Sequence, residues 1–359
     1  MKLHIFNPEH DLALAANIAR FTAPHAGRQL RSDLAFLPAL WAEKDDFVLV
    51  DDIDSARLKA RRLTGDEEHV EFITPAQLQG VFADTFLVDS VHPWGWDLAL
   101  CDELRRMGCP DIMLPDAQTL QRQRELSSRQ WAAENLQQDV VYVTSADDFL
   151  AVLADRRKVV VKAPWSSSGR GVRYVTPEDV RQGMEQSPAG LWIRNVLKRQ
   201  GGVTVEPYYN KVRDFGMEFE MRDGHLEYCG LSLFQTLKNA YTGNVLAVEE
   251  EKEAMMAKYV DASILKGIRL KLCSKLEPAL RGVYSGPLGV DMMVCAPDGG
   301  GPLFVNPCVE LNLRRTMGHV ALSLSHHLDR QRLMRVAYDG SHYRLNVLPG
   351  EPSPEAPIH

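Results

Sequence analysis

The stretch "VNPCVELNLRRTMGH" spaces a carboxylate, an amide and a guanidinium two residues apart, as Glu310, Asn312 and Arg314. In an extended strand these three share one face, while Val309, Leu311 and Leu313 share the other. Oxygen donors in such a row are what Mg²⁺ takes together with phosphate and water. A wetted surface strand with alternating polarity gives the same pattern, so the stretch needs partners to mean more. Pro307 within it points to a bulge or the start of a strand, because proline cannot donate to a ladder. Asp291 interrupts the apolar run "GPLGVDMMV". A carboxylate in that position has to be paired, solvated or bound to a cation.

Two upstream segments could supply those partners. In "VVVKAPWSSSGRGVRYV" a strand delivers Lys162, and the small residues Ser166, Ser167, Ser168 and Gly169, with Arg170 and Gly171, lead into a second strand. Small residues let backbone N–H groups approach an anion closely. The loop lacks the G-x-x-x-x-G-K-[ST] spacing and joins two strands, which excludes a Walker site and leaves a phosphate-covering loop or a flexible hairpin. In "VTVEPYYNKVRDFGMEF" a strand ends on Glu206, Pro207, Tyr208 and Tyr209, and another begins near Asp214. Such a segment suits a hinge whose backbone edge could pair with a purine and whose carboxylate could hold ribose hydroxyls. It reads equally as a strand running into a turn.

Other polar residues have structural readings beside functional ones. Asn7, Glu9, His10 and Asp11 follow the first apolar run, where a parallel sheet places ligands, yet they also suit a capped helix start. His92, Trp94 and Trp96 in "VHPWGWD" could line a pocket or pack as an aromatic loop. His319 fits a helix cap, and the adjacent His326 and His327 face different directions on a helix, a poor metal pair.

The elements that must position these groups divide the chain. The first third alternates "KLHIF", "FVLV", "VEFIT", "TFLVD" and "DIMLP", read as strands, with "LRSDLAFLPALWA", "DSARLKARRL" and "WDLALCDELRRMG", read as helices. That alternation predicts a parallel α/β sheet over about residues 1–115. A polar helix, "DAQTLQRQRELSSRQWAAENLQ", opens an α+β unit over about 116–205. Long strands, a long helix from about Glu250 to Arg281 and the helix "TMGHVALSLSHHLDRQ" fill about 206–345, before a proline-rich tail over about 346–359 that reads as disordered.

With 359 residues, 45% hydrophobic and 25% charged, the chain is an ordinary globular protein large enough for two or three domains. A net charge of -7 argues against a general nucleic-acid or anionic-membrane binder. No apolar run approaches the ~20 residues of a membrane span. Six dispersed cysteines without a CxxC pair read as reduced thiols, and together these features point to a cytoplasmic protein.

In order, Lys162 with its Gly/Ser loop, the Glu206 hinge, Asp291 and the Glu-x-Asn strand resemble the ATP-grasp superfamily over about residues 116–330. The alternating first third resembles the Rossmann-like domain that precedes such folds. The resemblance implies two α+β subdomains clasping ATP. Lys162 would contact the nucleotide, Arg129 would touch phosphate and Ser166 to Gly171 would cover the outer phosphates, while Glu206 and Tyr208 would frame adenine and Asp214 hold the ribose. It implies Asp291, Glu310 and Asn312 as magnesium ligands, with Arg314 and Lys238 assisting the reacting phosphate. The implied chemistry is ATP-dependent activation of a small-molecule carboxylate as an acyl phosphate and its capture by an amine or similar nucleophile. A phosphotransferase and a non-catalytic nucleotide binder share the fold, and family analogy points to a homodimer. Two departures stand out: Gly289 lies where the family often has arginine, and Arg129 where it usually has lysine.

Overall fold

The computed structural model describes residues 1–65, 69–84, 87–166, 171–237, 240–326 and 331–349. The chain opens with β1 (Lys2–Ile5), β2 (Phe47–Leu49), β3 (Glu71–Ile73) and β4 (Ser90–Pro93), which form a parallel sheet in the order β3-β2-β1-β4. Leu3, Ile5, Phe47, Val48 and Leu49 are all buried, as expected of parallel strands covered on both faces by crossover helices. Two expectations for this part are corrected. "TFLVD" is not the fourth strand: the described residues Leu87–Asp89 are a turn, and pairing with β1 begins at Ser90. "DIMLP" forms a single 3₁₀ turn, Asp111–Met113, between Pro110 and Pro115, each of which lacks an N–H for a ladder.

The polar segment that follows is two helices, Ala117–Leu126 and Arg129–Asn135, rather than one. The break falls at Ser128, whose hydroxyl accepts the Gln130 N–H and so starts a second helix. β5 (Val141–Val143), β6 (Val159–Lys162), β7 (Val172–Val175) and β8 (Val203–Pro207) then build an antiparallel sheet in the order β5-β8-β6-β7.

The largest part contains β9 (Asn210–Arg222), β10 (His225–Ser232), β11 (Phe234–Leu237), β12 (Ala240–Leu246), β13 (Gly286–Ala296), β14 (Phe304–Asn312), β15 (Arg332–Tyr338) and β16 (Tyr343–Pro349). They form two antiparallel sheets, β10-β9-β13-β14 and β11-β12-β15-β16. The expected long helix is broken into Glu249–Met256 and Ala262–Leu280, because Asp261 caps a new start by accepting the Ser263 N–H. The helix after β14 spans Met317–Ser325, shorter than expected. β16 continues through Pro349, so residues 346–349 belong to a sheet and not to a tail. In the sheet of β11, β12, β15 and β16, only β11 lies in a stretch read as a strand from the sequence, "HLEYCGLSLFQTL"; β12, β15 and β16 had no counterpart.

Alternation along β9 and β13 sends Phe215, Met217, Phe219, Leu288, Val290 and Met292 into one core against the helix Ala262–Leu280. The opposite residues, among them Asp214, Glu218 and Asp291, therefore face a cleft. A second core joins the first domain to the last sheet, packing Phe6 and Trp94 with Leu246, Val320 and Met334. Among the described residues no helix is long and apolar enough to cross a membrane. All six cysteines are free thiols.

Candidate active site

The cleft has a volume of about 800 Å³ and is lined by residues from all three parts of the chain. Its floor is the sheet of β9, β13 and β14. The register gives three cross-strand rows on one face. Asp214 pairs with Met293; Gly216, Asp291 and Glu310 form the middle row; and Glu218, Gly289 and Asn312 form the next. Successive rows are two residues, or about 7 Å, apart along a strand. The register of β13 against β14 shifts between Asp291 and Met293, so Pro307 does lie in an irregularity of the ladder.

Among the residues singled out from the sequence, Lys162, Arg129, Glu206, Tyr208, Asp214, Asp291, Glu310, Asn312 and Arg314 all line this one cleft. Gly171 stands beside it at the end of the Gly/Ser loop, packed against Ser166 with no room for a Cβ. Ser167, Ser168, Gly169, Arg170 and Lys238 lie outside the described residues.

Lys162, Arg129 and Lys211 of the cleft are each held by a local acid. Lys162 Nζ sits 2.8 Å from Glu206 Oε2, and also donates to the Val309 carbonyl at 3.0 Å. Arg129 pairs with Glu310 and donates to the Ala163 carbonyl and Ser166 Oγ, both at 2.7 Å. Asp214 accepts from Lys211 Nζ and Thr236 Oγ1, both at 2.6 Å. Tyr208 lies edge-on to Tyr174, with Lys158 Nζ 3.6 Å from the Tyr208 ring centre, so the mouth is aromatic.

Arg314 does not point freely into the cleft. It makes a bidentate pair with Asp11 of the first domain at 2.8 and 2.7 Å and donates to Asn312 Oδ1 at 2.9 Å. Asn312 in turn donates to Asp291 Oδ2 at 3.1 Å, leaving Asp11, Arg314, Asn312 and Asp291 in one chain. Burial pushes the Asp291 carboxyl up to about 7, with the Glu310 charge adding to the rise. Among the described residues no cluster of three or more His, Cys, Asp or Glu could hold a metal ion. The candidate is two carboxylates and an amide, a donor set that suits a cation sharing its coordination with phosphate.

The polar residues after β1 divide in role. Asn7 donates to the Gly95 carbonyl at 2.8 Å and His10 meets Asp97 at 3.0 Å, so both tie the first domain together. Glu9 and Asp11 line the cleft. Trp94 also lines it from within the aromatic core. His319 caps the helix Met317–Ser325 with Thr316, and its Nε2–H donates to the Phe219 carbonyl at 3.1 Å. Of the His326–His327 pair, only His326, which caps the end of that helix, is among the described residues.

Among the cleft residues that escaped the sequence reading, Glu218 stands out. Glu218 is 2% exposed and sits between two glycines. A Cβ at Gly318 would lie 1.8 Å from its Oε1, and one at Gly289 would lie 2.5 Å from its Oε2. Gly289 thus makes room for an acid. The alternation Asp214, Gly216, Glu218 was the available signal. Burial pushes this carboxyl up to about 8, and the Asp291 charge adds to the rise.

No family model matches the sequence, and no curated protein matches it. Solved structures do. A crystal structure from Archaeoglobus fulgidus, described as an ATP-grasp superfamily protein, superposes at a TM-score of 0.52 with 12% identity, over 98% of this chain and 100% of that one. A biotin carboxylase–β,γ-ATP complex from Campylobacter jejuni superposes at 0.50 with 11% identity, over 93% of this chain and 75% of that one.

Proposed function

We propose, from the premise that this chain has the ATP-grasp fold, that it is a Mg-ATP-dependent ligase. It would activate a small-molecule carboxylate as an acyl phosphate and pass the acyl group to an amine or similar nucleophile. The observation that carries this reading is the convergence of Lys162, Arg129, Asp291, Glu310, Asn312 and Arg314 on one cleft. The similar biotin carboxylase was crystallised with an ATP ligand, which supports placing a nucleotide in the same cleft here.

In this reading Glu206 and Tyr208 frame the base, Asp214 holds the ribose, and the loop from Ser166 to Gly171 covers the phosphates. Lys162 and Arg129 each rest on a carboxylate of the cleft and can exchange it for phosphate oxygens without moving far. Asp291, Glu310 and Asn312 would hold Mg²⁺. The test of fit is the middle row itself, where two acids face each other across adjacent strands and the Asp291 carboxyl is driven up partly by its neighbour's charge. A divalent cation relieves that repulsion. When bound, Mg-ATP supplies the phosphoryl group, and the ion neutralises its charge during transfer. Arg314, aimed by Asp11 and Asn312, places a fixed positive charge beside the reacting carboxylate. Most of the rate would come from positioning and electrostatics, so no covalent nucleophile is needed.

The test is ADP release over a panel of carboxylates, with and without Mg²⁺, using hydroxylamine to trap an acyl phosphate as a hydroxamate. Mg-dependent, carboxylate-dependent hydroxamate is the expected result. ADP release with a stable phosphorylated product would favour a phosphotransferase, and ATP binding without turnover a non-catalytic binder.

A further inference from the structure

Glu218, like Asp291, lines the cleft without an ion pair to lysine or arginine among the described residues, and it is one of three cleft acids, with Glu9 and Glu206, that keep a buried oxygen without a hydrogen-bond partner. The side chains of Thr316 and Ser232 stand beside its carboxyl and act against the rise that burial imposes. Ser232 Oγ accepts from Asn244 Nδ2 at 2.8 Å, and Asn244 Oδ1 accepts from the Tyr241 hydroxyl. Glu218, Ser232 and Asn244 are all buried, so this chain of hydrogen bonds is fixed in place. Oε2 nevertheless has no hydrogen-bond partner. His319 Nδ1 lies 3.1 Å away and has no proton to give, because Nε2–H is spent on the Phe219 carbonyl and the Thr316 N–H donates to Nδ1; it can only accept a proton when Glu218 is protonated, so the ionised carboxylate is the form left without a donor. No lysine or arginine among the described residues forms an ion pair with Glu218.

Position and surroundings narrow what could complete it. The row containing Glu218 lies beyond the middle row as seen from Asp214, about 7 Å further along β9. Glu218 is thus at the end of the cleft away from the ribose side. The cleft is also lined by the apolar residues Phe6, Leu34, Trp94, Met317 and Val336, which belong to the core that joins the first domain to the last sheet, and Met317 adjoins Gly318, the residue packed against Glu218. A buried acceptor with an open lone pair, in a cleft that also has an apolar lining, matches a cationic N–H donor on an apolar body.

We propose that Glu218, held by Tyr241, Asn244 and Ser232, binds the protonated amino group of a ligand whose apolar part lies against Trp94, Leu34 and Met317. Resting on the ligase reading above, this ligand is the amine acceptor, and Glu218 sets the enzyme's preference for amines.

The probe is n-hexylammonium, compared with n-hexanol, in calorimetric titrations of the full chain at neutral pH with and without Mg-ATP. Wild type is expected to bind the ammonium at least about tenfold more tightly than the alcohol. Glu218→Gln is expected to abolish that preference while leaving hexanol and Mg-ATP binding unchanged. Equal binding of the two probes by wild type, or a preference retained in Glu218→Gln, overturns the proposal. Loss of Mg-ATP binding in Glu218→Gln also overturns it, since Glu218 would then belong to the metal site. If circular dichroism shows that variant unfolded, Ser232→Ala decides: a preference reduced several-fold supports the proposal and an unchanged one overturns it. A preserved ammonium preference without carboxylate-dependent ADP release supports the amine site and counts against the ligase reading alone.

Discussion

The two ends of the cleft handle charge in opposite ways. Toward Asp214 three cations already have an acid beside them, Lys162 with Glu206, Arg129 with Glu310 and Lys211 with Asp214, while Lys158 sits on the Tyr208 ring. A polyanion with its metal can enter by exchanging partners, without any group being stripped bare. At the other end Glu218 is buried beside Thr316, Ser232 and His319, with no lysine or arginine paired to it among the described residues and one oxygen unmet. The paired end suits a highly charged ligand that brings its own counterion, and the unpaired end suits a ligand with one positive group. Arg314 spans the two, tying Asp11 of the first domain to Asn312 between them.

The largest way to break this contrast is at the middle row. Glu310→Ala or Asn312→Ala is expected to cut Mg-dependent ATP turnover by at least about 100-fold, with an unchanged circular dichroism spectrum. Normal turnover in both variants would remove the metal assignment. Next is Lys162→Ala, expected to weaken ATP binding roughly 10- to 100-fold by titration, since a buried charge partner is lost; unchanged affinity would detach this lysine from the nucleotide. At the unpaired end, Gly318→Ala forces a methyl group to within 1.8 Å of Glu218 Oε1. It should remove the preference for ammonium over alcohol while sparing Mg-ATP affinity, and loss of both would mean that the two ends are not separate.

The smallest effect concerns a satisfied acid that serves as a reference for Glu218. Asp46 is buried but accepts from the Lys2 N–H at 2.8 Å, from the Glu43 N–H at 3.0 Å and from His4 Nε2 at 2.9 Å. Burial acts to raise its carboxyl, but those hydrogen bonds outweigh it and hold the group below its usual range. A depressed carboxylate stabilises the fold above the unfolded value near 4 and loses that contribution as pH falls through its folded value. Asp46→Asn should therefore cost roughly 2 kcal/mol at neutral pH and progressively less below about pH 4 in thermal melts. A cost independent of pH would contradict the assignment.

Much of the paired end was legible because its chemistry lies on short segments with recognisable periods. Lys162 ends a strand, Asp291 interrupts one, and Glu310, Asn312 and Arg314 repeat every second residue. The unpaired end was not legible in the same way. Glu218 meets Ser232, Asn244 and Tyr241 only because β9, β10 and β12 fold together, and the spaces at Gly289 and Gly318 have no local signature. The pairing of Arg314 with Asp11 spans most of the chain and depends on how the first domain docks. The missed strands β15 and β16 mix partly buried with exposed residues, so propensity alone did not separate them from surface loops. The helix breaks at Ser128 and Asp261 were written in capping residues that the longer apolar periodicity overrode.

A crystal structure of the full chain with Mg-ADP tests the order along β9 most directly. The account predicts the ribose beside Asp214, the metal ion on Asp291, Glu310 and Asn312, and Glu218 one row beyond, outside the metal's coordination. A nucleotide bound elsewhere, or Glu218 coordinating the ion, would contradict it.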